Sequence, residues 1–192
     1  GFNVFDYFDN ERTITFSAMA QKRIALSALF VDLFRRIGFT FAGNLVWDKG
    51  DIEGKRAYNA GNATPFYQSP LNCWEHILLF EKPGSDRVGE LVEVDKVVPL
   101  KPVIKIVRGE NRHGHSAPFP IGVPESVLRG LKPGALVLDP FAGSGTTSRA
   151  ALSLDLESVG IEQDPDYYEL ARRLTGEFAK ELEALRAQST LF

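Results

Sequence analysis

The sequence predicts an α/β fold, organised around a glycine-rich loop of the kind that binds nucleotides. An apolar run at 135–138 stops at Asp139, and a turn containing two glycines follows it. Helix-forming residues come next, and a second apolar run then ends at Glu162. Strand, tight loop, helix and strand in this order form the βαβ unit of parallel sheets. The 19 residues between Gly143 and Glu162 are close to the ~20 expected when a carboxylate binds a ribose hydroxyl.

Length and composition are those of an ordinary globular protein. The chain has 192 residues, of which 44% are hydrophobic and 24% charged, enough for one α/β domain with a sizeable core. Cys73 is the single cysteine, which excludes an intrachain disulfide. No apolar run approaches the ~18 residues of a membrane span, so we expect a cytoplasmic protein with no membrane partner. Residue 1 is glycine, from which we expect a processed chain or a fragment of a longer one.

The N-terminal part predicts one helix and two strands. Apolar residues recur at helical spacing over 21–37, and Gly38 is placed to end that helix. Strands are predicted over 39–47 and 73–82, as antiparallel neighbours joined by the long polar segment 49–72.

The C-terminal part predicts a short edge strand and three helices. The edge strand lies at 103–107, and a helix opens at Pro124. Another helix covers 146–154 after the glycine loop. The last helix begins after Asp164, which has the side chain of an N-cap. Its predicted buried stripe consists of Tyr167, Leu170, Ala171, Leu174, Phe178, Leu182 and Leu185.

The glycine loop favours one of three nucleotide ligands. A phosphate-binding P-loop requires a lysine after its last glycine, and none is present. A dinucleotide loop would have glycine or alanine at Ser148, and Asp139 would place a negative charge beside a pyrophosphate. S-adenosylmethionine carries a sulfonium, an ammonium and no phosphate. An acid at the strand end suits it, with Asp139 facing the methionine end and Glu162 the ribose.

Two motifs resemble the cofactor half of DNA amino-methyltransferases. They are Asp-Pro-Phe-Ala-Gly-Ser-Gly-Thr-Thr at 139–147 and Gly-Ile-Glu-Gln-Asp-Pro-Asp-Tyr-Tyr at 160–168. Upstream, 115–120 resembles the family's cofactor-flanking motif, and Trp47-Asp-Lys49 and 74–82 resemble strands of its catalytic half. The catalytic half precedes the cofactor half, as in the permuted β arrangement. The resemblance covers most of 39–175.

The resemblance implies the fold, the substrate and the division of the chain. The family transfers methyl groups from S-adenosylmethionine to adenine N6 or cytosine N4 in duplex DNA, as in bacterial, archaeal or phage restriction–modification. Its fold is Rossmann-like, a mostly parallel sheet with helices on both faces, here expected to be incomplete. The implied division is a partial catalytic half at 1–82, a connector or short recognition segment at 83–114 and a cofactor half at 115–192. The implied cofactor-binding residues are Phe119, Pro120, Asp139, Pro140, Phe141, Ala142, Gly143, Ser144, Gly145, Thr146, Glu162 and Gln163.

One family motif is missing. The family's catalytic tetrapeptide, Asp/Asn/Ser-Pro-Pro-Tyr/Phe/Trp, binds the amino group of a flipped base, but this sequence contains no Pro-Pro dipeptide. The catalytic residues are therefore unknown. In the permuted order the tetrapeptide's strand lies beside the strand ending at Asp139. We expect a missing N-terminal segment, a second chain or part of 1–20 to fill that slot, because unpaired buried backbone is costly.

A basic strip provides the DNA-binding candidates. The net charge is −3, yet 96–115 contains five bases and one acid. A basic strip of this kind can face phosphates, although a solvated surface explains it as well. The candidates for DNA contact are Lys49, Lys105, Arg108 and Arg112.

We expect no metal, because S-adenosylmethionine carries an already activated methyl group. Cys73, His76, His113 and His115 have a spacing that could suggest zinc, but strand alternation and the family motif account for His76 and His115.

Three functions are compatible with the sequence. The leading one is a DNA amino-methyltransferase without its catalytic tetrapeptide in this chain. The second is a non-catalytic S-adenosylmethionine-binding subunit of a split methyltransferase. The third is a methyltransferase acting on RNA or protein.

Overall fold

The computed structural model describes residues 6–7, 24–50, 74–84, 101–106 and 119–189. The chain divides into two units. One comprises Gly1–Ser85 with Lys101–Val107, and the other comprises Asp86–Leu100 with Arg108–Phe192. The predicted boundaries at 82 and 114 remain a prediction.

A helix and a three-stranded sheet make up most of the described part of the first unit. The helix α1 spans Leu26–Ile37, and Gly38 follows with φ of +104°, so the predicted glycine stop is confirmed. The strands β3 (Thr40–Asp48), β4 (Trp74–Glu81) and β5 (Val103–Lys105) are arranged in the order β4-β3-β5. β3 pairs antiparallel with β4, as predicted, and parallel with β5.

The start of the predicted helix over 21–37 was wrong. Ile24–Ala25 forms a short strand, β2, paired antiparallel with β1 at Asp6–Tyr7. The helix therefore begins at Leu26. Apolar periodicity did not reveal this pairing, because it joins residues far apart in the sequence.

Aromatic side chains connect α1 to the sheet. Phe34 stacks on Phe80 of β4 with ring centroids 4.7 Å apart, and it meets Phe39 edge-on at 5.4 Å. The opposite side of α1 is apolar and exposed, because Leu29, Leu33 and Ile37 are each at least half exposed. The helix thus packs on its own unit through the phenylalanine side.

The second unit contains the predicted βαβ order. A short helix, α2 (Gly122–Leu128), precedes β6 (Leu136–Asp139), α3 (Thr146–Ser153) and β7 (Glu157–Gly160). The long helix α4 (Pro165–Ser189) follows. β6 and β7 pair in parallel, with Asp139 opposite Gly160. A small core of Ala135, Ala151 and Leu156 lies under this pair.

The β6–β7 pair has one covered face within the described residues. Val137 packs against the core beneath the pair, while Leu136 and Leu138 are about 60% exposed on the other face. Val159 and Ile161 are also about half exposed. Helices on both faces of this pair, and a strand on the free edge of β6, remain predictions.

The last helix follows its predicted start but not all of its predicted stripe. Asp164 Oδ1 accepts the amide N–H groups of Asp166 and Tyr167, as an N-cap does. Leu174 is buried at the centre of the stripe, whereas Leu185 is 64% exposed, so including Leu185 was wrong. The helix still contacts the rest of the unit at this point, because the guanidinium of Arg186 donates to Asp155 Oδ1 at 2.6 Å.

Candidate functional site

The glycine loop leaves β6 as a tight turn that ends at the first residue of α3. Gly143 and Gly145 have φ of +53° and +76°, which side-chain-bearing residues rarely adopt. The N–H of Gly145 donates to Ala142 O at 2.8 Å, and the N–H of Ala142 donates to Ile161 O at 2.9 Å. These bonds extend the β6–β7 pairing into the loop and hold it at the carboxyl ends of two parallel strands, where α/β proteins bind ligands.

Glu162 closes the loop from the second strand. Its Oε2 accepts the N–H of Gly143 at 2.8 Å, and its Oε1 accepts the N–H of Asp164 at 3.0 Å. A carboxylate has about four acceptor positions, so each oxygen retains one for a ligand hydroxyl. The carboxylate is therefore held in place before any ligand arrives.

These hydrogen bonds predict that the Glu162 carboxyl has a lowered pKa. The backbone N–H groups of Asp164 and Gly143 lower the pKa of Glu162 below its ordinary 4.5. Because the pKa of Glu162 is lower in the folded chain, its carboxylate stabilises the fold. This contribution to the free energy of unfolding is fully present above pH 4.5 and is lost as the pH falls through the folded pKa. A ¹³C NMR titration of the Glu162 carboxyl should therefore show a midpoint below 4.5 in the folded chain, returning towards 4.5 in denaturant. A folded midpoint at or above 4.5 would contradict these bonds.

Asp139 occupies the last position of β6, directly before the loop. Its Oδ1 accepts the N–H of Phe141 at 3.0 Å, which turns the chain out of the strand. Phe141 itself is 71% exposed, and Pro140 beside it is also exposed. Asp139 and Glu162 thus contribute carboxylates from the ends of adjacent strands, a charge arrangement that favours a cationic ligand group.

Arg149 supports the loop from within α3, and the sequence did not single it out. Its guanidinium donates to Ser144 O at 2.9 Å and to Thr146 Oγ1 at 3.2 Å. Ser144 and Thr146 are both buried, and burial lowers the pKa of Arg149. Neither predicted polar residue therefore offers a freely exposed hydroxyl. Both residues instead help to hold the backbone of the loop in its shape. The only sequence signal for Arg149 was a cation four residues after the last loop glycine.

The other predicted cofactor residues lie around this frame. Phe119 is 38% exposed and Pro120 is half-buried immediately before α2. A hydrogen bond of 2.6 Å from Ser153 Oγ to Glu125 Oε1 connects α2 to α3, so the Phe119 segment and the loop helix are joined in one unit. Gln163 is exposed between Glu162 and the N-cap of α4. Their contact with a ligand remains a prediction.

The DNA-binding candidates are only partly described. Lys105 ends β5 with its side chain exposed, as a phosphate contact requires. Lys49 forms an ion pair with Glu75 and is only 12% exposed, so its charge is largely compensated. Arg108 and Arg112 lie outside the described residues. A role in DNA binding stays a prediction for all four.

Two further observations concern only the described residues. No three of their histidine, cysteine, aspartate and glutamate side chains are grouped closely enough to hold a metal ion. None of the described helices is both long and apolar enough to cross a bilayer.

Comparison with known proteins identifies relatives over most of the chain. A family model described as DNA methylase matches residues 4–173. The type II beta methyltransferase M.BslI of Bacillus sp. strain NEB-606 is 39% identical over 183 residues, which cover 89% of this chain and 20% of M.BslI. The type II methyltransferase M.BglI of Bacillus subtilis is 35% identical over 104 residues, covering 52% of this chain and 30% of M.BglI. The chain thus spans less than a third of the length of either relative.

Solved structures confirm the fold. The PvuII DNA methyltransferase, a cytosine-N4-specific enzyme, matches with a TM-score of 0.60 and 17% identity, over 82% of this chain and 63% of that one. A complex of M1.HpyAVI with S-adenosylmethionine matches with a TM-score of 0.57 and 23% identity, over 77% of this chain and 68% of that one. The predicted α/β methyltransferase fold is therefore confirmed.

Proposed function

The chain belongs to the DNA methylase family, and on this premise we propose that it carries the S-adenosylmethionine site of an enzyme that methylates duplex DNA. The acceptor is an exocyclic amino group, adenine N6 or cytosine N4. The observation that carries the proposal is the position of Glu162, whose carboxylate is fixed by the backbone N–H groups of Gly143 in the glycine loop and of Asp164 after β7. M.BslI and M.BglI, which bear the names of type II methyltransferases, support the same class of activity.

The described residues fit S-adenosylmethionine better than a phosphate-bearing nucleotide. Two carboxylates, Asp139 and Glu162, stand at adjacent strand ends, where they would repel a pyrophosphate and attract an ammonium or sulfonium. The acceptor positions left on Glu162 suit the two hydroxyls of a ribose. The turn at Gly143 and Gly145 brings backbone close to the ligand without a Cβ in the way.

Each residue then has a defined task. Glu162 binds the ribose, Asp139 faces the methionine ammonium, and Phe119 and Pro120 lie against the methionine chain. Arg149 keeps the loop in shape through the Ser144 carbonyl. When bound, S-adenosylmethionine supplies a methyl group that its sulfonium already activates.

The tetrapeptide that binds the target amino group must come from elsewhere, because these 192 residues contain no Pro-Pro dipeptide. A segment of the same protein outside them, or another chain, would supply it. The same observation supports the second candidate, a cofactor-binding subunit of a split methyltransferase.

Calorimetric titration of the full chain with S-adenosylmethionine tests the cofactor site. Removing the charge of Asp139 should raise the Kd at least about tenfold in the Asp139→Ala variant, because a charged hydrogen bond contributes about 1.5–3 kcal/mol. Asp166→Ala, which removes an exposed carboxylate of α4, should leave the Kd unchanged. Failure of the wild-type chain to bind S-adenosylmethionine would overturn the proposal.

A methyl-transfer assay tests whether the chain needs a tetrapeptide from outside these 192 residues. Duplex DNA is incubated with S-adenosylmethionine and the chain, with and without a polypeptide carrying the tetrapeptide. N6-methyladenine and N4-methylcytosine are then measured by mass spectrometry. Transfer that depends on the added polypeptide supports our assignment of the missing tetrapeptide, whereas transfer by the chain alone would contradict it.

The basic strip gives a separate prediction for DNA binding. Replacing Lys105 and Arg108 together by alanine should weaken duplex binding and reduce the slope of log K against log salt by about 1.8, since each phosphate contact contributes about 0.9. Arg172→Ala with Arg173→Ala removes the same charge from α4 and serves as the control. An unchanged slope in the Lys105 and Arg108 variant would remove the strip from the DNA interface.

A further inference from the structure

The three-stranded sheet of the first unit has one buried face and one partly exposed face. Trp47 and Ile104 lie opposite each other on β3 and β5, and both are buried on the first face. Asp48 lies opposite Trp74 on β4 and opposite Lys105 on β5, so these three side chains share the second face. We call the second face the open face. Its described members include Asn44, Val46, Asp48, Trp74, His76, Val103 and Lys105.

The helix α1 covers only one end of the open face. Phe34 of α1 stacks on Phe80, near the end of β4. Farther along the face, Val103 is 43% exposed, and the side chains of Asn44 and Lys105 are exposed as well. The uncovered part of the face therefore combines apolar, polar and charged side chains, and a partner can reach it from solvent.

Aromatic rings occupy the β4 side of the open face. Trp74 and His76 are both partly exposed and meet edge-on, with ring centroids 4.7 Å apart. The Nδ1 atom of His76 lies 3.1 Å from Asn44 Oδ1. Because an amide oxygen only accepts hydrogen bonds, Nδ1 carries the hydrogen and Nε2 remains an acceptor. Burial lowers the pKa of His76 below 6.5, so the ring keeps this neutral form at pH 7.

Positive charge occupies the β5 side of the open face. Lys105 ends β5, Lys101 lies two residues before its start, and both side chains are exposed. Lysines on an edge strand also prevent sheets from pairing edge to edge, and that role could explain the two lysines alone. It does not explain the rings on β4, which lie two strand spacings from β5, or ~10 Å. This separation is comparable to the span of a nucleotide from its phosphate to the far edge of its base.

We propose that the open face binds a single strand of DNA, an inference that rests on the proposed DNA methyltransferase function. The phosphates lie over Lys101 and Lys105, and the bases lie against Trp74 and His76. Single strands are bound in this way, by a cationic track beside aromatic rings, because every base has a π-face. An enzyme that flips its target base unpairs the duplex at that point, which supplies such a strand. All four residues belong to the first unit, so this binding does not use the cofactor loop.

Tryptophan fluorescence tests the open face, with the full chain and an oligodeoxythymidine of about 12 nucleotides, a length within the range of single-strand sites. The chain has two tryptophans, and Trp47 is only 4% exposed, so quenching by the oligonucleotide reports mainly on Trp74. We expect saturable quenching by the single strand and weaker quenching by a duplex of the same length. Absence of quenching, or equal quenching by the duplex, overturns the proposal. Equal or tighter binding of oligouridine overturns the assignment to DNA.

The salt dependence of binding tests the phosphate contacts. Lys101→Ala with Lys105→Ala should reduce the slope of log K against log salt by about 1.4, since each phosphate contact of a single strand contributes about 0.7. Arg172→Ala with Arg173→Ala removes the same charge from α4 and should keep the wild-type slope. An unchanged slope in the lysine variant overturns the placement of the phosphates over β5.

Ring substitutions test the base contacts, with a fluorescein-labelled strand followed by anisotropy. Trp74→Leu should raise the Kd at least about fivefold, the loss expected when one stacked base loses its ring. Tyr168→Leu removes a half-exposed ring from α4 and should leave the Kd unchanged. If circular dichroism shows that Trp74→Leu does not fold, His76→Ala replaces it and should raise the Kd at least about threefold. A Kd within twofold of wild type in the folded variant overturns the base contacts.

Titration with S-adenosylmethionine separates failure of this inference from failure of the proposed function. The lysine and ring variants should keep the wild-type Kd for S-adenosylmethionine, because the cofactor loop belongs to the second unit. If the wild-type chain binds S-adenosylmethionine but no single strand, this inference alone is overturned. If it binds no S-adenosylmethionine, the proposed function is overturned instead.

Discussion

Replacing Glu162 by alanine is expected to raise the Kd for S-adenosylmethionine about 100-fold, which corresponds to roughly 2.7 kcal/mol. Two contributions combine in this loss. The ribose hydroxyls lose a charged acceptor, and each such hydrogen bond contributes about 1.5–3 kcal/mol. The N–H of Gly143 also loses its acceptor, so the loop is no longer fixed before the ligand binds. Isothermal titration calorimetry measures the change.

Two further variants make this result specific. Glu157→Ala removes an exposed carboxylate from β7, the strand that precedes Glu162, and should leave the Kd within twofold of wild type. Glu162→Gln keeps one oxygen acceptor but loses the charge, so we expect an intermediate affinity. A Kd within threefold of wild type for Glu162→Ala would show that the ribose does not bind at this carboxylate.

Local sequence signals predicted the frame of the site well. The predicted end of α1 at Gly38 and the predicted N-cap of α4 at Asp164 are both confirmed. Both effects depend only on residues within one helical turn. The glycine loop and Glu162 were also found from spacing alone, since a βαβ unit of this length brings two strand ends side by side. The hydrogen bond between Gly143 and Glu162 confirms that proximity.

The features that sequence reasoning missed depend on pairing between distant segments. Lys49 was predicted as a DNA contact, but its ion pair with Glu75 was not predicted, because the β3–β4 register is what brings Glu75 to it. The strand at Ile24–Ala25 was assigned to a helix because its partner lies near the N-terminus. Periodicity reports the side chains of one element and cannot specify which other element lies against them.

The structure also limits how one predicted cofactor residue can act. Ser144 was predicted as a cofactor contact, yet its side chain is buried and its carbonyl accepts from Arg149. We therefore predict that Ser144 acts on ligand binding through the backbone shape of the loop and not through its hydroxyl. Family resemblance located the residue, but only the hydrogen bonds define what it does.

Gly145→Ala is expected to destabilise the chain by about 3 kcal/mol and to weaken S-adenosylmethionine binding with it. Alanine at φ of +76° costs about 1–2 kcal/mol, because left-handed backbone crowds a Cβ. The added Cβ would also lie 2.8 Å from Thr175 Oγ1 and 3.3 Å from Ala171 O on α4. The hydroxyl can rotate away, but the carbonyl belongs to a helix and cannot, so overpacking adds about 1–3 kcal/mol.

Gly134→Ala separates the two causes, because Gly134 has almost the same φ, +78°, and nothing within 4 Å of an added Cβ. Urea denaturation should therefore give a loss of about 1–2 kcal/mol for Gly134→Ala and a clearly larger loss for Gly145→Ala. Only Gly145→Ala should bind S-adenosylmethionine more weakly. Relief of its clash with α4 moves the loop and disturbs the hydrogen bond between Gly143 and Glu162. Equal losses in both variants would mean that backbone strain alone fixes this glycine, and that α4 does not buttress the cofactor loop.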